Sequence, residues 1–190
     1  VLYRTNAQAR LLEERFIVEG IPYDVVGGVN FYSRKEIKDL LAYLKTVDNA
    51  RDDLAVRRII NVPKRGIGAT TLTRVQEYAG EHGISFYEAL KGASGIPSLG
   101  RSYMKVEPFV TFIQTLKSKA EHVSVKELLE EIIEETGYMR ELRAEATDEA
   151  LSRLENIDEL ISKVAAYEEN TENPTLSGFL ADVALVADID

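Results

Sequence analysis

Apolar residues recur along this chain at intervals of three and four, the spacing of one buried helix face. Ile37, Leu40, Leu41, Leu44 and Val47 form the clearest such face, behind a Ser33–Glu36 pair at capping-box spacing. Asp52 is placed to cap a following helix that carries Leu54, Val56, Ile59 and Ile60. Thr70 or Thr71 should open a helix reaching about His82, and Ser85 with Glu88 a shorter one. The stretch GASGIPSLG reads as a loop, and VEPFVTFIQTLKSKA as a helix beyond Pro108. Ser124 and Glu127 make a third box ahead of Val125, Leu128, Leu129, Ile132 and Ile133, with Gly137 as the stop. TDEALSRLENIDELISKVAAYEEN predicts one long helix, ENPT breaks it, and LSGFLADVALVA predicts a last one.

The front of the chain has a different pattern. VLYRT reads as a short buried strand, a helix follows from about Ala7 to Glu19 with Gly20 as its stop, and IPYDVVGG reads as a second strand. The expected fold is mainly α: a short strand–helix–strand piece, then a helical body. A chain whose first residues already read as a strand is expected to have been cut from something longer.

Composition narrows the function. At 190 residues, 45% hydrophobic and 29% charged, the chain can bury a core. No apolar run approaches the roughly 18 residues of a membrane span. With no cysteine, disulfides and thiolate metal sites are excluded, and His82 and His122 stand too far apart in sequence to suggest a histidine metal site. This usage fits a cytoplasmic protein. The net charge of −9 hides an asymmetry. Residues 1–110 carry sixteen Lys and Arg against thirteen Asp and Glu, whereas residues 111–190 carry seven against nineteen. From Ser33 to Val75 the count is ten basic to five acidic, so positive charge gathers around one stretch, NVPKRGIGATTL.

That stretch, Asn61 to Leu72, joins two helical patterns through a Gly-Ile-Gly turn. Gly66 and Gly68 allow a tight reversal and close approach of a ligand, and Ile67 can anchor the turn in the core. The helix that follows offers free N–H groups and a positive dipole end to an anion such as a DNA phosphate. Lys64, Arg65, Thr70 and Thr71 would add contacts to neighbouring phosphates, which position a backbone without reading bases. An ordinary helix–helix turn is the competing reading. Arg34, Lys35 and Lys38, in SRKEIKD, oppose the dipole at a helix start, a cost that a phosphate would offset; a solvated face with Lys–Glu pairs is equally consistent. GIPSLGRS imitates a nucleotide-binding loop, but Arg101 stands where lysine is needed and no strand precedes it, so it reads as a loop. Tyr3, Phe31 and Tyr32 could stack on bases, though aromatics beside glycines more often belong to a core.

Four blocks, VLYRTNAQARLLEE, VVGGVNFYSRKEIKDLLAYL, RRIINVPKRGIGATTL and SRLENIDEL, together resemble the superfamily 1 DNA helicases of the PcrA/UvrD/Rep type, with the PcrA type nearest, over essentially the whole chain. The resemblance implies an ATP-dependent 3′-to-5′ translocase built of two RecA-like domains with inserted helical subdomains, acting in DNA repair and replication. It implies that residues 1–28 are a strand–helix–strand piece of the second RecA-like domain (2A). Residues 29–190 would be its helical 2B insertion, ending before the chain returns to 2A. By the same resemblance Arg4 and Asn6 contact single-stranded DNA, while Lys38, the Gly66–Gly68 turn and Thr71 meet the duplex. Ala9 departs from the serine frequent in relatives, which touches only a local hydroxyl contact. The parent enzyme would bind ATP and Mg. This fragment, lacking the phosphate loop and the Mg-binding motif, is expected to have no catalytic residue, metal or cofactor of its own. Expected partners are a single-strand/duplex junction, the other helicase domains in cis and accessory proteins, with no membrane. A protein–protein adapter remains the alternative. A helix-hairpin-helix glycosylase or nuclease would need a catalytic Lys or Asp beside the turn, and none is evident.

Overall fold

Helix α1 (Lys35–Asp48) is the axis of the fold, with ten of its fourteen residues buried, more than one apolar stripe would cover. The structure, a computed structural model, describes residues 31–187 together with 12, 15, 16 and 19–22. After α1 come α2 (Asp53–Ile59), α3 (Ala69–His82) and α4 (Phe86–Lys91), then two 3₁₀ turns, Ala93–Gly95 and Pro97–Lys105. Helices α5 (Glu107–Ala120), α6 (Val125–Thr136), α7 (Tyr138–Glu145), α8 (Asp148–Asn170) and α9 (Leu176–Ala187) follow. Helix α1 packs against α2, α5, α6, α8 and α9, and α3 lies across α4 and the second 3₁₀ turn. No strand occurs among the described residues. Val1–Thr5, most of the front helix and residues 23–30, on which the expected strand–helix–strand piece rests, lie outside them. Gly20, the expected stop, has φ +64°.

Several local signals act as the pattern predicts. Asp52 accepts the Ala55 N–H at 3.0 Å and caps α2. Ser124 and Glu127 form a reciprocal capping box at α6, and Gly137 ends that helix at φ +66°. Thr147 caps the long α8.

Other signals yield to tertiary forces. Arg34, not Ser33, holds the cap position of α1, and no side chain caps it. Glu36, expected to turn back to the cap, is 3% exposed: its carboxylate accepts from Asn156 at 2.6 Å and faces Arg153 at 3.4 Å. A charge-assisted bond inside the protein outweighs a surface cap. Ser85 caps α4, but Glu88 pairs with Lys91 instead of completing the box. Leu54, expected on an apolar face, is 84% exposed, because the short α2 buries Ala55, Val56 and Ile59 on its other side. The expected GASGIPSLG loop is wound into 3₁₀ turns that bury Ala93, Ile96 and Leu99. Helix α7, which the sequence reading did not assign, buries Tyr138 and Leu142, one turn apart on one face.

The most buried charged group among the described residues is Asp39, 2% exposed. Arg58 Nε donates to its Oδ1 at 2.8 Å, and Tyr138 Oη donates to its Oδ2 at 2.7 Å, joining α1 to α2 and α7. Burial first, then this hydrogen bond, pushes the Tyr138 phenol well above its ordinary value.

We expect Asp39→Ala to lower the unfolding free energy by about 2–4 kcal/mol, since it strands a buried phenol and a half-buried guanidinium. Urea denaturation measures this, and a loss under about 1 kcal/mol would contradict the buried pairing. A second expectation concerns alkali. Burial pushes the Tyr87 phenol up to about 12 from its usual 10.0, and Tyr43 and Tyr138 move the same way. The folded chain therefore holds protons that the unfolded chain releases. Their stabilisation is fully present below the unfolded value and is lost as pH rises from about 10 toward 12. Thermal melts across that range should fall steadily, and a flat profile would exclude the effect.

Candidate nucleic-acid interface

Helix α2 ends at Ile59 and the chain reverses through Asn61–Gly68 before α3 begins. Two side chains close this reversal. Asn61 Nδ2 donates to the Ile67 carbonyl at 2.8 Å, and the Ile67 N–H donates back to Asn61 Oδ1 at 3.2 Å. Ile67 itself is 4% exposed, so the turn hangs from a buried anchor.

Arg65 lies beneath. Its Nη1 donates to the carbonyls of Ile59 and Ile60 at 2.9 and 3.1 Å, at the end of α2, where the Ile59 carbonyl also accepts the Val62 N–H at 2.9 Å. Nη2 donates to Tyr43 Oη at 2.7 Å, and that hydroxyl donates to the Val62 carbonyl. The guanidinium rests over the Phe109 ring at 5.1 Å. Burial raises the Tyr43 phenol, and the Arg65 charge opposes that rise. The Val62–Pro63 peptide is cis.

The two glycines differ. Gly66 has φ +69°, a region that other residues enter only with strain. Gly68 has φ −72° and ψ 156°, open to any residue, and a Cβ built on it would meet nothing within 4 Å. Among the described residues, no contact asks for a glycine at 68. It is the cap residue of α3, with no side-chain cap and no acidic residue in the first turn. Among the described residues, no side chain caps the first-turn N–H groups and no first-turn carboxylate offsets the positive dipole end. Thr70 and Thr71, expected as caps, lie one and two residues inside α3, Thr70 exposed and Thr71 half-buried.

Among the described candidate cations, Lys35, Lys38 and Lys64 are exposed. Lys35 and Lys38 stand on the first turns of α1, tied to the end of α2 by Arg58, whose Nη2 donates to the Lys35 carbonyl at 3.3 Å. Arg34 is turned inward: its Nη1 donates to Asn156 and its guanidinium lies 5.2 Å from the Phe31 ring centre. Phe31 and Tyr32 are half-buried and meet edge to face. Arg4, Asn6 and Tyr3 lie outside the described residues. Sequence reasoning missed Lys105, whose Nζ donates to the Gly66 carbonyl at 3.3 Å from 39 residues away. It missed Asn61 and Tyr43 as well, since no local spacing marks them as partners of the turn.

The model of the UvrD-like helicase C-terminal domain matches residues 1–190. The chain is 46% identical over 190 residues to the ATP-dependent DNA helicase PcrA of Bacillus subtilis. It is 47% identical over 192 residues to the protein of that name from Staphylococcus aureus and 46% to that from Staphylococcus epidermidis. Each match covers all of this chain and 26% of the relative, so the chain spans about a quarter of the length of these proteins. No described helix is long and apolar enough to cross a membrane.

The two glycines should separate in stability measurements. Gly66→Ala should cost about 1–3 kcal/mol through backbone strain, while Gly68→Ala should change stability by under about 1 kcal/mol. Equal losses at both positions in thermal unfolding would contradict this distinction.

Proposed function

The chain belongs to the UvrD-like helicase C-terminal domain family, and from that premise we propose that it is a duplex-DNA-binding, regulatory subdomain of an ATP-dependent DNA helicase. The observation that carries this reading is Gly68, a glycine the fold does not require at the uncapped start of α3. A Cβ there would crowd an anion resting on the first-turn N–H groups, and that is a reason for the residue that the chain itself does not supply. Lys64 and Thr70 stand exposed beside the turn and suit neighbouring phosphates, with Thr71 behind them. Lys35 and Lys38 would contact the backbone from the start of α1. Arg65, Ile67 and Arg34 act in this reading as supports, their side chains or N–H groups being engaged within the fold.

The finer assignment follows the family. Residues 1–28 would belong to the second RecA-like domain, with Arg4 and Asn6 on the single strand, and residues 29–190 would be the 2B insertion. The parent would be a cytoplasmic 3′-to-5′ translocase that uses ATP and Mg in repair and replication. Swivelling of this subdomain would switch it between active and inhibited forms, and the 190-residue piece alone would hydrolyse no ATP. The acidic residues 111–190 make a poor DNA surface and would face accessory proteins. An adapter without direct DNA contact is favoured by one feature, the exposed Leu54.

Fluorescence anisotropy with a duplex bearing a 3′ single-stranded tail, repeated as salt is raised, separates the readings. Phosphate binding should weaken linearly in log[salt], and an apolar docking face should not respond. Gly68→Leu should reduce affinity at least about tenfold, equally for duplexes of different base sequence, while the chain stays folded with a stability loss of no more than about 1 kcal/mol. Binding that survives this substitution, or a substitution that alters preference among base sequences, would remove the phosphate-clamp reading.

A further inference from the structure

A groove of about 400 Å³ opens beside the hairpin, lined by Pro63, Arg65, Lys105, Pro108, Phe112 and Glu135. Pro63 and Arg65 belong to the turn itself, and Lys105 is bonded to it through the Gly66 carbonyl. The 3₁₀ turn Pro97–Lys105 that delivers Lys105 carries Arg101 as a second cation and no acidic residue. It is held against α3 by Arg74, whose Nη1 donates to the Ser98 carbonyl at 2.6 Å. Two prolines and a phenylalanine thus give the groove apolar surface, Arg65 and Lys105 give it positive charge, and Glu135 is the one carboxylate among its lining residues.

We propose that this groove carries the sugar–phosphate backbone that continues from the phosphate at the start of α3, with Lys105 as the phosphate-binding residue. The inference rests on the duplex-binding reading and extends it to a residue and a surface that the hairpin motif does not contain. The chemistry of the lining suits this occupant. Deoxyribose presents C–H faces that pack on proline and phenyl surfaces, and the phosphate between them meets an exposed ammonium. The Arg65 donors are engaged by carbonyls, so that residue contributes its charge rather than a direct contact. Glu135, exposed at the groove, weakens a passing polyanion and limits how far the track extends.

The test uses the 190-residue chain and the tailed duplex, with affinity measured across salt concentrations. Lys105→Gln keeps a donor near Gly66 and removes the charge; it should lower the slope of log K against log[salt] by about one. Lys105→Arg should keep the slope, and Glu135→Gln should raise affinity a few-fold. These variants should melt with the parent chain. A Lys105→Gln slope equal to wild type, while Gly68→Leu still loses binding, overturns the groove and leaves the hairpin reading intact. Wild-type binding that ignores both salt and Gly68 overturns both.

Discussion

A carboxylate cannot enter an apolar interior without partners, and α1 brings in two, Glu36 and Asp39. Their needs dictate much of what surrounds them. Asp39 requires Arg58 from α2 and Tyr138 from α7, while Glu36 requires Asn156 and Arg153 from α8. Apolar burial of Ile37, Leu40 and Leu44 would hold helices against α1 in many relative positions. The hydrogen-bonded carboxylates accept few. Helices far apart in the chain are thereby set at defined positions around one axis.

The hairpin inherits that precision. Arg58, the partner of Asp39, is next to the last residue of α2, and the stretch Asn61–Gly68 begins three residues after Arg58. Arg65 then binds the Ile59 and Ile60 carbonyls at the end of α2, donates to Tyr43 of α1 and rests over Phe109 of α5. Three helices support one turn, and the N–H groups that open α3 are aimed by this arrangement rather than by any contact of their own. A site of this kind is assembled from the inside, with its outer surface left bare.

What was legible in the sequence was local. The apolar face of α1, the Asp52 and Ser124 caps and the Gly137 stop each depend on residues within about a turn of one another, and each is where the pattern puts it. The two helices that flank the Gly-Ile-Gly stretch were legible for the same reason. What escaped depends on distance along the chain. Glu36 satisfies a cap pattern but answers to Asn156, 120 residues on, and Lys105 reaches Gly66 across 39 residues. Arg65 looked like a surface cation because its acceptors, three carbonyls and a phenol, are invisible until the chain is folded. Residues 92–100 looked like a loop because their winding serves Ala93, Ile96 and Leu99, whose burial no short window reports.

The bare start of α3 also bears on how far this chain could be improved. Serine or aspartate in place of glycine at a helix cap adds roughly a few tenths of a kcal/mol to a fold, and no described residue around Gly68 obstructs either. An engineer selecting for heat resistance alone would find that change early and keep it. The same hydroxyl or carboxylate would fill the place where an external anion rests, and a carboxylate would repel it. On the proposed phosphate-binding reading, position 68 is where robustness and activity part company, and the glycine there keeps the fold slightly below its attainable stability.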